Sequence, residues 1–162
     1  MRHTISLLVE NKFGVLSRIS GLFSGRGYNI ESLSVGETID PQISIMTIVT
    51  SGDDQIIEQI TKQLNKLIDV VKVVDMTEYD HVEREMVLIK IEPKPEDRAE
   101  VLRLTEIFRG RVIDSSKTTY TVEITGDEKK IAAFAELMKP VGIKEFVRTG
   151  KIAIAREGIK KK

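Results

Sequence analysis

An amide and a glycine, Asn11 and Gly14, sit in the run Glu10-Asn11-Lys12-Phe13-Gly14-Val15-Leu16, where apolar residues begin to recur at helical spacing. The first backbone N–H groups of a helix lack intrahelical acceptors, and the macrodipole adds positive potential there, so such a turn suits a carboxylate. Asn11 brings a further donor and acceptor. Gly14 has no Cβ, which lets a ligand come close to the backbone. The same residues also fit a plainer role, in which Asn11 caps the helix and Gly14 eases the turn. The turn alone does not choose between the two. Asn29, following Gly27-Tyr28, offers a second amide, either to an amino acid or to its own turn. Val15, Leu16, Ile19 and Ile30 either border an apolar pocket beside these amides or belong to the core, the commoner fate at that helical spacing.

Other chemistry is sparse. Arg18, Arg26, Arg109 and Arg111 lie in or beside helical segments and fit a solvated surface first, although the run Arg109-Gly110-Arg111 could also bind a phosphate or salt-bridge a partner protein. Glu83, Glu85, Glu92, Glu96, Asp97 and Asp127 form no motif with a His, Ser or Lys that suggests acid/base or nucleophilic work. With no cysteine and two histidines, His3 and His81, thiolate sites and an imidazole metal cluster are not expected. No dinucleotide or phosphate-loop motif appears. Lys plus Arg and Asp plus Glu both number 25, so no net field favours nucleic acid or an anionic membrane. No apolar run approaches ~18 residues, and a strand pattern starts at Thr4, so no signal peptide or membrane span is expected. The cytoplasm is the default location.

The elements that must position these residues follow from hydrophobic period. Ile5, Leu7 and Val9 alternate over Thr4 to Val9, which predicts a strand. Val15, Leu16, Ile19, Leu22 and Phe23 predict a helix that stops at Gly25-Arg26-Gly27. Tyr28 to Gly36 and Ile43 to Thr50 read as strands around the Asp40-Pro41 turn. Asp53 or Asp54 caps a helix with Ile56, Ile57, Ile60, Leu64 and Leu67 inward, and Val70 to Met76 closes a βαββαβ order. The second sheet face is expected to carry Leu8, Ile30 and Ile48, and to need a partner, because about 75 residues make a marginal core.

Polar Thr77 to Glu85 reads as a linker, giving domains over 1–77 and 84–158. The second half repeats the order. Strands are expected over Met86 to Ile91, Arg111 to Asp114, Thr119 to Thr125, Val141 to Val147 and Ile152 to Ala155. Helices are expected over Glu96 to Phe108, with Val101, Leu104, Ile107 and Phe108 inward and Gly110 as terminator, and from Asp127 to the residues before Pro140. Lys160-Lys161-Lys162 is read as a solvated tail.

The run LSRISGLFSGRGYNIESLSVG, Leu16 to Gly36, closely resembles the acetolactate synthase (acetohydroxyacid synthase) small-subunit family. The resemblance continues through SIMTIVTSGDDQIIEQITKQLNKLIDVVKV, HVEREMVLIKI and TEIFRGRVIDSSKTTYTVEITG, nearly the whole chain. It implies two ferredoxin-like βαββαβ domains of α+β class, the first an ACT domain. It also implies a regulatory role without catalysis by this chain. The partner would be a large catalytic subunit using thiamine diphosphate, Mg²⁺ and FAD to make 2-acetolactate from pyruvate, or 2-aceto-2-hydroxybutyrate with 2-oxobutyrate. The small subunit would raise that activity and confer feedback inhibition by valine in branched-chain amino-acid biosynthesis. The resemblance places valine between paired ACT domains of a homodimer, on Asn11, Gly14 and Asn29 with Val15, Leu16 and Ile30 as neighbours. Glu92 to Glu100 departs most from the family pattern, and Lys12-Phe13 is a variable spot bearing on effector preference. A stand-alone enzyme and an ACT-type transcriptional regulator are the rivals. The first lacks a nucleophile or metal constellation, the second a DNA-reading helix and a basic face.

Overall fold

A computed structural model describes the backbone of residues 1–160 and the side chains of residues 1–157. The solvated tail expected at Lys160 to Lys162 lies outside the described side chains. The chain forms two units, one comprising Met1–Val82 with the segment from Gly150 onward, the other Glu83–Thr149.

The first unit contains β1 (Arg2–Glu10), α1 (Val15–Gly25), β2 (Ser32–Glu37), β3 (Ile43–Ser51), α2 (Asp54–Asn65) and β4 (Val70–Asp75). Its antiparallel sheet has the order β2-β3-β1-β4, the split arrangement of a ferredoxin-like fold. Ile5, Leu7 and Val9 of β1 pack with Met46 and Ile48 against Val15, Ile19 and Phe23 of α1 and Ile57, Ile60 and Leu64 of α2. Each such fully buried side chain contributes about 1.5–3 kcal/mol. Asp53 starts α2 by accepting the Ile56 N–H at 2.9 Å.

Pairing corrects the expectation for the second sheet face. Ile5 lies opposite Ile48, and Leu33 also pairs with Ile48, so Ile48 shares the helix-covered face. Ile30 packs on the same core. Of the three residues expected on the far face, Leu8 alone stands there, opposite Ile45. Strand β2 also begins later than Tyr28. The Tyr28 N–H donates to Phe23 O at 2.9 Å, closing α1, which leaves the ladder to start at Ser32.

The polar stretch read as a linker is a 3₁₀ turn over Met76–Glu78 followed by β5, a strand of 13 residues from Tyr79 to Ile91. It alternates, but its inward positions begin with Tyr79, His81, Glu83 and Glu85, so hydrophobicity did not reveal the period. The unit division falls within this strand, between Val82 and Glu83.

The second unit continues with α3 (Arg98–Ile107), β6 (Arg111–Ser115), β7 (Tyr120–Gly126), α4 (Glu128–Met138) and β8 (Ile143–Arg148), in sheet order β6-β7-β5-β8. Val87, Ile89, Ile91, Val122 and Ile124 pack with Val101 of α3 and with Ile131, Phe134 and Met138 of α4. Asp127 accepts the Lys130 N–H at 2.9 Å and starts α4. The expected inward set on α3 needs one change. Ile107 is 58% exposed, whereas Thr105 is buried with its hydroxyl donating to Val101 O at 2.7 Å.

The closing strand β9 (Ile152–Lys160) pairs with β5. The segment from Gly150 onward, which contains this strand, groups with the first unit by its contacts. Polar contacts with distant parts of the chain anchor it. The Lys151 N–H donates to Ser32 Oγ at 3.4 Å, and Arg156 pairs with Asp80 at 3.5 Å. Gly150, at φ 85°, lies so close to Leu33 that a Cβ would meet its carbonyl oxygen at 3.0 Å.

Candidate functional site

The turn between β1 and α1 ends in Gly14, which holds φ 83° and ψ −5° as the residue preceding the helix. This left-handed conformation is one that an L side chain rarely adopts. No side chain caps α1. The Val15 N–H reaches Lys12 O at 3.4 Å and the Arg18 N–H reaches Gly14 O at 3.0 Å, leaving the Leu16 and Ser17 N–H groups without acceptors among the described residues. These donors point along the positive end of the helix.

Asn11 does not cap α1, which removes the plainer role considered for it. Its Nδ2 donates to Glu37 Oε1 at 3.0 Å and to Pro41 O at 2.9 Å, while its backbone N–H donates to Gln42 O at 2.7 Å. The amide therefore ties β1 to the β2–β3 hairpin and holds its own carbonyl in a fixed place beside the turn.

Arg18, one turn into α1, completes the site in a way sequence reasoning missed. Its Nε and one Nη donate to Asp69 Oδ2 at 2.9 and 2.6 Å. The other Nη lies 3.2 Å from where a Gly14 Cβ would stand. A guanidinium thus hangs over the glycine, half-exposed and able to meet a carboxylate. Helical spacing put Arg18 on the outer face of α1, but its partner Asp69 lies 51 residues away, and no local pattern signals that pairing. Lys12 pairs with Glu10 at 2.6 Å, and this hydrogen bond pushes the exposed ammonium's pKa up. Phe13 is fully exposed and Leu16 is 45% exposed.

Of the remaining predicted residues, Val15 and Ile30 turn their side chains into the core cluster, so Val15 offers the turn its backbone only. Asn29 stands elsewhere. Its carbonyl accepts the Thr50 hydroxyl at 2.7 Å, and its side-chain amide has no partner among the described residues. Thr50 pairs with His3, and Ile43, beside the turn, pairs with Glu10. Seven residues of strand separate these rows, roughly 20 Å at the usual rise per residue. Asn11 and Asn29 therefore occupy opposite ends of the sheet, and one chain does not bring them into one pocket.

A second polar feature lies in the same unit. His3 Nδ1 approaches Asp75 Oδ2 at 2.7 Å, both side chains are buried, and Asp75 Oδ1 accepts the Thr77 N–H at 2.9 Å. An acceptor-only carboxylate requires Nδ1 to carry the proton. The pair borders a cavity of about 490 Å³ between α2 and β4. A histidine and an aspartate 72 positions apart carry no sequence signal of this contact. No group of three or more His, Cys, Asp or Glu is arranged to hold a metal ion among the described residues, and no helix among them is long and apolar enough to cross a membrane.

Comparison with known proteins gives a consistent result over the whole length. Residues 5–72 match the family model of the AHAS small subunit-like ACT domain, and residues 84–157 match that of the small subunit of acetolactate synthase. The acetolactate synthase small subunit of Aquifex aeolicus is 59% identical over 157 residues, covering 96% of this chain and 82% of that one. The probable acetolactate synthase small subunit of Archaeoglobus fulgidus is 55% identical, covering 96% and 98% of the two chains. The crystal structure of the acetolactate synthase small subunit from Thermotoga maritima superposes with a TM-score of 0.85 at 44% identity, covering 98% of this chain and 99% of that chain.

Proposed function

Because the chain belongs to the acetolactate synthase small-subunit family, the partner of a catalytic subunit, we propose that it activates that subunit and confers feedback inhibition by valine. The observation that carries this reading is the head of α1. Left-handed Gly14, the acceptor-free N–H groups of Leu16 and Ser17 and the Arg18 guanidinium beside Gly14 lie within one turn of the helix start. A carboxylate fits there through charge-assisted hydrogen bonds. The carbonyl of Asn11, held by Glu37 and Pro41, stands ready to accept from the ammonium of the same amino acid.

Asn29 is the complementary piece. Since it lies at the far end of its own sheet, its free amide serves the site when a second copy presents it, which makes the pocket a property of a paired ACT domain. Leu16 and Phe13 are exposed apolar side chains of this same turn, and they are the candidates to meet the aliphatic part of valine or the second copy. Valine bound across the pair favours one arrangement of the dimer, and the catalytic subunit reads that arrangement through differential affinity. Thiamine diphosphate, Mg²⁺ and FAD are assigned to the catalytic subunit, where the condensation of pyruvate takes place, and the cytoplasm is the compartment that suits this biosynthesis.

Isothermal titration of valine tests the site. Gly14→Asp is expected to abolish detectable binding, because its carboxylate would occupy the place of the ligand's own carboxylate beside Arg18, on a backbone that disfavours any side chain. Asn11→Ala is expected to weaken binding about tenfold, the effect of one lost hydrogen bond to a charged group. Valine binding unchanged in both variants would remove the assignment.

A further inference from the structure

Helix α3 ends with the Gly110 N–H donating to Thr105 O at 2.8 Å and the Arg109 N–H donating to Glu106 O at 2.9 Å. This double closure places the residue before the last donor in the left-handed region, which glycine enters freely. Arg109 fills that place, at φ 54°, the one non-glycine at positive φ among the described residues. Strain held at one residue is evidence that its side chain is used.

The side chain has no internal use. Arg18 is tied to Asp69, Arg103 to Glu100 and Arg111 to Glu123, whereas the Arg109 guanidinium has no hydrogen-bond or ion-pair partner among the described residues. It borders a cavity of about 340 Å³ at the seam of α3 and α4, lined by Ile107, Phe108, Arg109 and Lys130. Lys130 is held in place by donating to Thr125 O at 2.8 Å. The lining thus sets two cations beside two apolar side chains, with no acidic group among the four. A small free anion has no need of the apolar part, and an aliphatic ligand has no need of the cations. A protein surface with a carboxylate next to an apolar side chain uses both, and an arginine fork engages that carboxylate bidentately.

We propose that Arg109 and Lys130, together with Ile107 and Phe108, form a docking point on the second unit for an acidic side chain flanked by an apolar one on the catalytic subunit. The inference rests on the reading that this chain binds such a subunit, and the test separates the two. The full chain is mixed with the catalytic subunit, and affinity, melting midpoint and valine binding are measured for wild type, Arg109→Gly and Arg111→Ala.

Arg109→Gly relieves the left-handed strain, so its melting midpoint should rise by roughly 2–5 °C. Its affinity for the catalytic subunit should fall about tenfold or more, as for loss of a central arginine in an interface, with valine binding unchanged. Arg111→Ala, whose guanidinium already serves Glu123, should keep its affinity within roughly twofold. If the wild-type chain does not bind the catalytic subunit, the underlying reading fails. If wild type binds and Arg109→Gly binds equally well, the docking point alone is overturned. An equal loss in Arg111→Ala would also overturn it, since general charge would then explain the effect. So would inorganic phosphate stabilising wild type but not Arg109→Gly while leaving subunit binding intact, since the site would then belong to a free anion.

Discussion

At the end of α1 the Tyr28 N–H reaches Phe23 O at 2.9 Å and the Gly27 N–H reaches Ser24 O at 3.2 Å, the same pair of bonds that Gly110 and Arg109 make at the end of α3. The first helix puts glycine in the left-handed place, Gly27 at φ 71°, and follows it with Tyr28, whose ring meets Phe23 edge-on at 6.4 Å. This is the usual division of labour in such a closure. The second helix reverses it. Arg109 takes the left-handed place and Gly110 follows, where a Cβ would come within 2.4 Å of Ile124 Cδ1 and 3.0 Å of Glu123 O. Gly27 has nothing within 4 Å of its missing Cβ. One glycine is needed for backbone conformation, the other for space. Similar-looking sequences, Arg26-Gly27-Tyr28 and Phe108-Arg109-Gly110, therefore conceal different physics, and the difference is what exposes Arg109 as a residue with a task.

Substitution would sharpen this contrast. Gly110→Ala should show the largest effect, a loss of about 1–3 kcal/mol, because the new methyl meets a backbone carbonyl and a fully buried side chain that cannot both retreat. Gly27→Ala should lose about 1 kcal/mol, the strain of a left-handed L residue in open space. Thermal or urea unfolding reads both, and if Gly27→Ala proved the more damaging, the division between conformation and space would be wrong.

A smaller contrast lies in the surface carboxylates. The Ser51 hydroxyl donates to Glu31 and the Arg2 guanidinium to its other oxygen at 2.6 Å, and these partners, the serine foremost, hold the Glu31 carboxyl below its ordinary value of 4.5. Glu100 is also lowered, by Arg103 three residues along the exposed face of α3. A depressed carboxyl pKa stabilises the fold at pH above the ordinary value, and the benefit disappears as pH falls through the lower folded value. Glu31→Gln should therefore lower the melting midpoint at pH 7, with the difference from wild type closing below about pH 4. Glu100→Gln should follow the same direction with a smaller shift, since its pair is local and fully exposed to water. Melting curves across that pH range check both.

Much of the fold was legible because its signals are local. Ile5, Leu7 and Val9 alternate, Val15, Ile19 and Phe23 recur at helical spacing, and Asp53 and Asp127 stand where helix caps belong. The candidate turn was legible for the same reason, since Gly14 and the first N–H groups of α1 are neighbours in the chain. Arg18 with Asp69, His3 with Asp75 and the anchoring of Gly150 beside Leu33 were not, because each joins residues far apart in sequence. The first half of strand β5, Tyr79 to Glu85, escaped because its inward positions are polar, whereas the apolar half from Met86 to Ile91 was legible.

By itself the sequence determined two βαββαβ halves, where their helices start, and a glycine turn suited to a carboxylate, because period, caps and turn residues act over a few positions. The tertiary structure alone decided which face Ile48 and Ile30 serve, that Asn11 and Asn29 stand at opposite ends of one sheet, and that Gly110 is barred from bearing a side chain. Those outcomes depend on strand register and on atoms brought together from distant parts of the chain, and no window of sequence contains them.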